Sequence, residues 1–137
     1  MKFKLTVDKS NQWFVSAWVH AAGRKAYVQF KVDTGCNALI LSHRTLKLLG
    51  IATDEARLSK LPEVEGSLAS GIIDIFRNMG EISLCHDNKQ ADPIGKIPAL
   101  CHAARQTHDL LGTEVLRLFD NVLFNLKGDK HMELVKS

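Results

Sequence analysis

Apolar and polar residues alternate along the first part of the chain, as they do in strands that bury one face. The alternation is clearest over Val28–Val32, and an apolar, aromatic run covers Trp13–Val19. The residues between these runs, His20–Arg24, include a glycine, so we predict a β-hairpin. Lys2–Val7 also alternates, and we expect it to form a strand at the edge of a sheet.

A continuous apolar run follows at Ala38–Leu41 and predicts a short strand that is buried on both faces. Ser42 is a suitable N-cap for a helix that carries Leu46 and Leu49 at helical spacing, and Gly50 is a suitable end. This helix is expected to be only about two turns long. Residues 57–65 are polar, contain a proline and are predicted to form a loop or a frayed strand.

The second half of the chain contains further β-type segments around a tip of small residues, Gly66–Gly71. Near the end, Leu110-Leu111-Gly112 precedes a helical pattern that Thr113 can cap. We interpret the glycine as a packing residue that lets the next element approach closely. Strands are predicted at 72–76, 81–85, 97–100, 121–126 and 131–135, and the last two form a second hairpin. The sum is a mostly-β chain with two short helices.

Length and composition add few constraints. The 137 residues favour one domain, and 45% hydrophobic with 24% charged residues is ordinary for a globular protein. The net charge is +3 and the basic residues are scattered, so we expect no nucleic-acid partner. No apolar run is long enough to cross a bilayer, and none follows the first residues as a secretion signal would require. We therefore expect a cytoplasmic protein with no membrane partner.

The cysteines do not indicate a disulfide framework, because there are three of them and no secretion signal. Two stand beside histidines, as Cys85-His86 and Cys101-His102. Adjacent residues of a strand point to opposite faces, so neither pair aims both side chains easily at one metal. Buried thiols beside exposed imidazoles are favoured, and no metal or cofactor is expected. His43, His102 and His108 are interpreted as surface or core histidines.

The chemistry of the chain is most evident at Asp33-Thr34-Gly35, where an acid ends an apolar strand. Gly35 permits a tight turn and a close backbone approach, and Thr34 offers a hydroxyl. A single carboxylate in a dry site would protonate, whereas two that share a site hold one proton and act together as acid and base. The simpler alternative is that Asp33 only caps its own turn.

In context, this motif resembles the active-site sequence of the retroviral-type aspartic proteases, the retropepsin-like family. The hairpin "FVSAWVHAAGRKAYVQFKV" leads into "DTG", and "ALILS" and a helix ending in "LLGI" follow. The tip "GSLASG" falls where the family has its flap, and "DLLGTEVLRLFDNVLFNL" resembles the family's second motif, helix and terminal strand. The resemblance covers roughly residues 13–134.

The resemblance implies a closed, barrel-like β lobe with one or two short helices. It also implies an aspartic endopeptidase whose two chains each contribute Asp33 to one site, so a homodimer and a peptide or protein substrate are expected. A non-catalytic dimerisation or peptide-binding module on the same lobe is the alternative. The implied site residues are Asp33, Thr34 and Gly35 for catalysis and Ser67, Leu68, Ala69, Ser70 and Gly71 for the flap.

Three positions depart from the family pattern. Cys36 stands where the viral enzymes more often have alanine or serine, and a reactive thiol beside the carboxylates would make activity sensitive to oxidation. The tip Gly66–Gly71 lacks the run of glycines that is typical of viral flaps. Glu114 stands where the family often has aspartate or asparagine after the glycine.

Overall fold

The computed structural model of the protein describes residues 1–67, 73–85, 93–102 and 108–136. These residues form ten strands and three short helices. In chain order they are β1 (Lys2–Val7), β2 (Trp13–Ala21), β3 (Arg24–Val32), β4 (Leu39–Leu41), α1 (His43–Leu48), α2 (Glu55–Leu58), β5 (Glu63–Ser67), β6 (Ile73–Cys85), β7 (Pro93–His102), β8 (Asp109–Leu111), α3 (Thr113–Leu116), β9 (Asn121–Asn125) and β10 (His131–Val135).

Six of these strands close into a barrel. The hydrogen-bonded order runs β6, β7, β4, β8, β3, β2, and the ring closes because β2 also pairs with β6. The interior is filled by apolar side chains that alternate along the strands, as a small barrel requires. The predicted class, a mostly-β closed barrel, is confirmed, and the described residues contain three short helices where one or two were expected. The fully buried members include Val15, Val19, Phe30, Leu39, Leu41, Leu84, Ile97 and Ala99.

The first predicted hairpin is confirmed as β2 and β3, which pair from Phe14↔Lys31 to Ala21↔Arg24. Its tip residues, Ala22 and Gly23, both have positive φ, at 52° and 73°. Two consecutive left-handed residues match the right-handed twist of the flanking strands, so the hairpin turns without splaying. The register places Val15 opposite Phe30, and both side chains face the core.

β1 is an inner strand, so its predicted position at a sheet edge is wrong. It pairs with β2 on one side and with β10 on the other. Phe3 and Leu5 are buried, and β10 extends the same apolar face with Met132 and Leu134. The sheet of described strands therefore ends at β9 on this side.

Of the two alternatives predicted for residues 57–65, a loop or a frayed strand, the structure shows a strand in their last part, and it adds a short helix in their first part. The short helix α2 buries Leu58, and β5 begins at Glu63. β5 pairs with β6 over five residues, from Glu63↔Arg77 to Ser67↔Ile73. This cross-strand pairing makes a regular strand of a polar segment.

The strand and helix after the Asp-Thr-Gly motif form as predicted. All three residues of β4 are buried. Ser42 is the N-cap of α1, since its hydroxyl accepts a hydrogen bond from the Thr45 amide, and Gly50 follows the helix with φ of 70°. The Asp109 carboxylate ties β8 to this helix start by accepting from the Ser42 amide at 2.7 Å and the Ser42 hydroxyl at 3.1 Å.

In the described parts of the chain, no helix has the length and apolar character needed to span a bilayer.

Candidate active site

Asp33 begins the loop that joins β3 to β4, and main-chain hydrogen bonds fix its position. The Asp33 amide donates to the carbonyl of Leu111 in β8 at 3.1 Å, which extends the parallel pairing of β3 with β8. The Cys36 amide donates to the Asp33 carbonyl at 3.1 Å and closes a tight turn. Within this turn Asp33 is half-buried, whereas Thr34 and Gly35 are exposed.

The Asp33 carboxylate has one oxygen engaged in the loop. Oδ1 accepts from the Gly35 amide at 3.0 Å, which is the turn-capping role that we considered as the simpler alternative. Oδ2 accepts no hydrogen bond from any residue that the structure describes. The two roles are compatible, because capping orients the carboxyl group and leaves the second oxygen for a ligand or a water.

Main-chain hydrogen bonds from the residues after β8 hold the Asp33 loop in place. The Thr113 amide donates to the Cys36 carbonyl at 2.9 Å, and the Glu114 amide donates to the Asn37 carbonyl at 2.8 Å. These bonds require Gly112, because a Cβ there would lie 2.5 Å from the Ala38 carbonyl oxygen and closer still to that of Cys36. The predicted packing role of Gly112 is therefore confirmed.

Thr113 does not cap α3, so that prediction is wrong. The N-cap position belongs to Gly112, and no side chain caps the helix. The Thr113 hydroxyl lies 3.3 Å from Oδ1 of Asn37 in the Asp33 loop. The helix therefore starts where its free amides meet the carbonyls of the loop, and the threonine side chain adds to the same contact.

A cleft of about 560 Å³ opens beside Asp33. Its floor is formed by the Asp33 loop and by residues of β4, β7 and β8, and its far wall by the hairpin of β5 and β6. Its size suits a short peptide segment rather than a folded partner. The described lining residues are Asp33, Gly35, Cys36, Asn37, Ala38, Ile40, Val64, Glu65, Gly66, Asp74, Phe76, Leu100, His102, Leu110 and Glu114.

The hairpin strands β5 and β6 pair on either side of the segment that the sequence predicts to be the flap, and residues of both strands line the cleft. Ser67 is the last residue of β5 and pairs with Ile73. The other predicted flap residues, Leu68, Ala69, Ser70 and Gly71, lie outside the described residues. Of the residues that the sequence predicted for the site, the structure brings Asp33 and Gly35 to the cleft.

Comparison with known structures identifies the architecture. The chain is similar to the crystal structure of a retropepsin-like aspartic protease from Rickettsia conorii, with a TM-score of 0.62. The match covers 96% of this chain and 89% of the other at 16% sequence identity. The chain has a retropepsin-like fold. No protein-family model and no curated protein matches the sequence.

Within this retropepsin-like fold, the cleft contains a polar pair that the sequence did not reveal, one residue in its far wall and one in its floor. His102 Nε2 lies 2.9 Å from Asp74 Oδ1, and the Phe76 ring packs edge-on against the imidazole at 5.2 Å. Asp74 and Phe76 are two residues apart on β6, so their side chains share a face of the strand. This spacing is the part of the arrangement that the sequence could indicate. The pairing with His102 depends on the register of β6 and β7, in which Phe76 faces His102.

The Cys36 thiol lines the same cleft but is poorly suited to react. Burial raises its pKa, and the negative charges of Asp33 and Glu114 raise it further, against an opposing contact with the Ala38 carbonyl. The thiolate is the reactive form of cysteine, so a raised pKa lowers its share near neutral pH. The structure therefore does not favour the sensitivity to oxidation that the sequence suggested.

The described residues include no group of three histidine, cysteine, aspartate or glutamate side chains that could hold a metal ion. Cys101 is fully buried, whereas the neighbouring His102 faces the cleft, so the two side chains lie on opposite faces of β7.

The close approach at Gly112 leads to a prediction for Gly112→Ala. The added methyl group meets main-chain atoms that cannot rotate away, so the variant should lose about 1–3 kcal/mol of unfolding free energy. The displaced Asp33 loop should lower any peptidase activity by about a hundredfold. Urea denaturation and an activity assay measure the two effects.

Gly66→Ala is the matched control for stability, because the atoms nearest to its methyl group would belong to the Phe76 side chain and not to the main chain. An equal loss of stability in both variants would contradict the assigned role of Gly112.

The raised pKa of Cys36 leads to a second prediction, for its alkylation by iodoacetamide. The rate at Cys36 should stay low near neutral pH and rise only above the pH at which a cysteine in a short peptide reacts. Glu114→Gln removes one of the charges that raise the pKa, so it should shift the rate profile to lower pH. Mass spectrometry of the Cys36 peptide follows the rate, and an unshifted profile in the variant would argue against this electrostatic cause.

Proposed function

We propose that the protein is an aspartic endopeptidase whose site forms when two copies of the chain each contribute Asp33. The observation that carries the proposal is the Asp33 carboxyl group, which lines a peptide-sized cleft beneath a hairpin and has a free Oδ2 among the described residues. The similarity to a retropepsin-like aspartic protease supports the same reaction class.

The proposal of a homodimer rests on what one chain lacks. The sequence contains a single Asp-Thr-Gly motif, so a second carboxylate of this kind must come from another copy. A two-fold axis beside the loop would place Asp33 against Asp33 of that copy. The exposure of Thr34 and Gly35 in the single chain agrees with a partner surface at this point.

A concave surface beside Thr34 supports this placement of the axis. It has a volume of about 370 Å³ and is lined in part by Trp13, Val32 and Phe124. Trp13 and Phe124 pack against each other at a centroid distance of 4.9 Å. Aromatic surfaces of this kind are enriched at protein interfaces, so the region around Thr34 suits a second copy.

The proposed mechanism uses the shared proton of the carboxylate pair. The ionised carboxylate takes a proton from a water as that water attacks the carbonyl carbon of the scissile peptide bond. The protonated carboxyl group stabilises the developing oxyanion by hydrogen bonding. The proton taken from the water then passes to the leaving nitrogen, the C–N bond breaks, and the pair again holds a single proton.

The substrate is proposed to lie extended between the Asp33 loop and the hairpin of β5 and β6. An extended peptide offers main-chain groups on both edges, so it can pair with strand backbone while its side chains enter the cleft. Closure of the hairpin over the peptide would exclude water from the scissile bond. The cytoplasmic location expected from the sequence stays a prediction.

The test of the proposed function is Asp33→Asn, assayed with a peptide library between about pH 4 and pH 7. The amide cannot take up or share the proton, so cleavage should fall by about a thousandfold. Asparagine is nearly isosteric with a protonated acid, so the melting temperature and the mass measured by light scattering should not change.

Asp129→Asn is the matched control, because Asp129 is an exposed residue between β9 and β10 and makes no contact with the cleft. Cleavage that survives in Asp33→Asn would contradict the mechanism. A wild-type protein that binds peptides without cleaving them would favour the peptide-binding module.

A further inference from the structure

We propose that Asp74 is a specificity-determining residue, which selects a lysine or arginine side chain of the substrate at one position of the cleft. His102 is the positioning residue that holds the Asp74 carboxylate. The inference rests on the proposed function in so far as the cleft binds a peptide, but it does not require that the peptide be cleaved.

The pair joins two different elements of the cleft. Asp74 lies on β6, where its main chain pairs with Gly66 of the hairpin, and His102 ends β7 in the barrel. The side chains are only 15% and 20% exposed, respectively, so the 2.9 Å contact between Asp74 Oδ1 and His102 Nε2 is largely shielded from solvent. Shielding strengthens such a contact and fixes the direction of the carboxylate.

The second carboxylate oxygen is the one available to a ligand. Asp74 lines the cleft, and its Oδ2 accepts no hydrogen bond from the described part of the chain. A half-buried acceptor without a partner among the described residues gains most from a charged donor, because charge-assisted hydrogen bonds are about twice as strong as neutral ones.

The position of the imidazole is itself constrained. Phe76 packs edge-on against His102 from the facing position of the β6–β7 ladder. On its other side, the Phe76 ring lies over Gly66, where a Cβ would come within 2.6 Å of ring atom Cε2. Because residue 66 is a glycine, there is room for the Phe76 ring. The ring restricts the position of the His102 imidazole, and the imidazole in turn restricts the position of the Asp74 carboxylate.

The shape of the cleft around Asp74 suits a long side chain with an apolar stem. Ile40, Leu100 and Phe76 line the same cleft as the carboxylate. Lysine and arginine bury their methylene groups on apolar surfaces of this kind and keep the charged end at a polar group.

The charge of the cleft also favours a lysine or arginine side chain of the substrate. No lysine or arginine is among the described lining residues, whereas Glu65 and Glu114 add negative charge. Arg77 follows on β6, but it pairs with Glu63 and does not line the cleft. Among the described lining residues, a basic substrate side chain would therefore meet no lysine or arginine, and an acidic one would be repelled by the carboxylates.

The test measures binding in an Asp33→Asn background, so that cleavage cannot interfere. Labelled eight-residue peptides carry lysine, or its neutral near-isostere methionine, at one position at a time, and fluorescence anisotropy gives Kd. At one position the lysine peptide should bind about tenfold more tightly than the methionine peptide. Adding Asp74→Asn should abolish this preference and leave the Kd of the methionine peptide within about twofold.

Glu65→Gln is the matched control, because it removes a charge from the same cleft without touching the pair. An equal loss of the lysine preference in this control would overturn the assignment to Asp74, as would the absence of any lysine preference. The absence of a lysine preference overturns the inference without any Asp74 variant, and the His102 variants test the assignment if Asp74→Asn does not fold.

Variants of His102 test its positioning role. His102→Gln keeps a donor near the Asp74 carboxylate and should retain the lysine preference, whereas His102→Leu should lose it. Loss of the preference in both variants, or in neither, would contradict the positioning role.

The outcomes also separate this inference from the proposed function. If the wild-type protein cleaves no peptide but its Asp33→Asn form prefers lysine, the proposed peptidase function is overturned and the Asp74 subsite is supported. A protein that cleaves peptides without a basic preference would keep the peptidase and overturn the subsite.

Discussion

The structure depends on the contact between the main chain at Gly112 and the loop that carries Asp33. The amides of Thr113 and Glu114 donate to two consecutive loop carbonyls, and the Asp33 amide donates back to Leu111. No side chain at position 112 fits between these backbones. Two segments about eighty residues apart in the sequence are therefore locked together, and this contact sets where the carboxylate stands.

The strand order around β8 determines the path of the same loop. β8 pairs with β3 on one side and with β4 on the other, so the Asp33 loop that links β3 to β4 must arch over the end of β8. The arch is rigid at its base and exposed at its tip, at Thr34 and Gly35. A loop that is held at its base and exposed at its tip suits the proposed site with a second copy, because the carboxylate is positioned before the copies meet.

The sequence predicted the features that local patterns encode. The β2–β3 hairpin, the buried β4 strand, the Ser42 cap and the packing of Gly112 all depend on short-range periodicity or on one residue type. The features that it missed depend on pairing between distant segments. β1 lies inside a sheet only because β10 returns to it, and Asp74 meets His102 only through the register of β6 and β7. The local pattern predicts a helix cap at Thr113, because it cannot show that the partner of the Thr113 hydroxyl is Asn37, in a loop far away in sequence.

Subunit mixing tests most directly whether one proton is shared between two copies of Asp33. Wild-type and Asp33→Asn chains are mixed in equal amounts, allowed to exchange, and assayed per chain with an intact Asp33. The account predicts that activity falls to about half, because random pairing joins half of the wild-type chains to a variant chain. Unchanged activity per wild-type chain would show that each Asp33 works alone and would contradict the account.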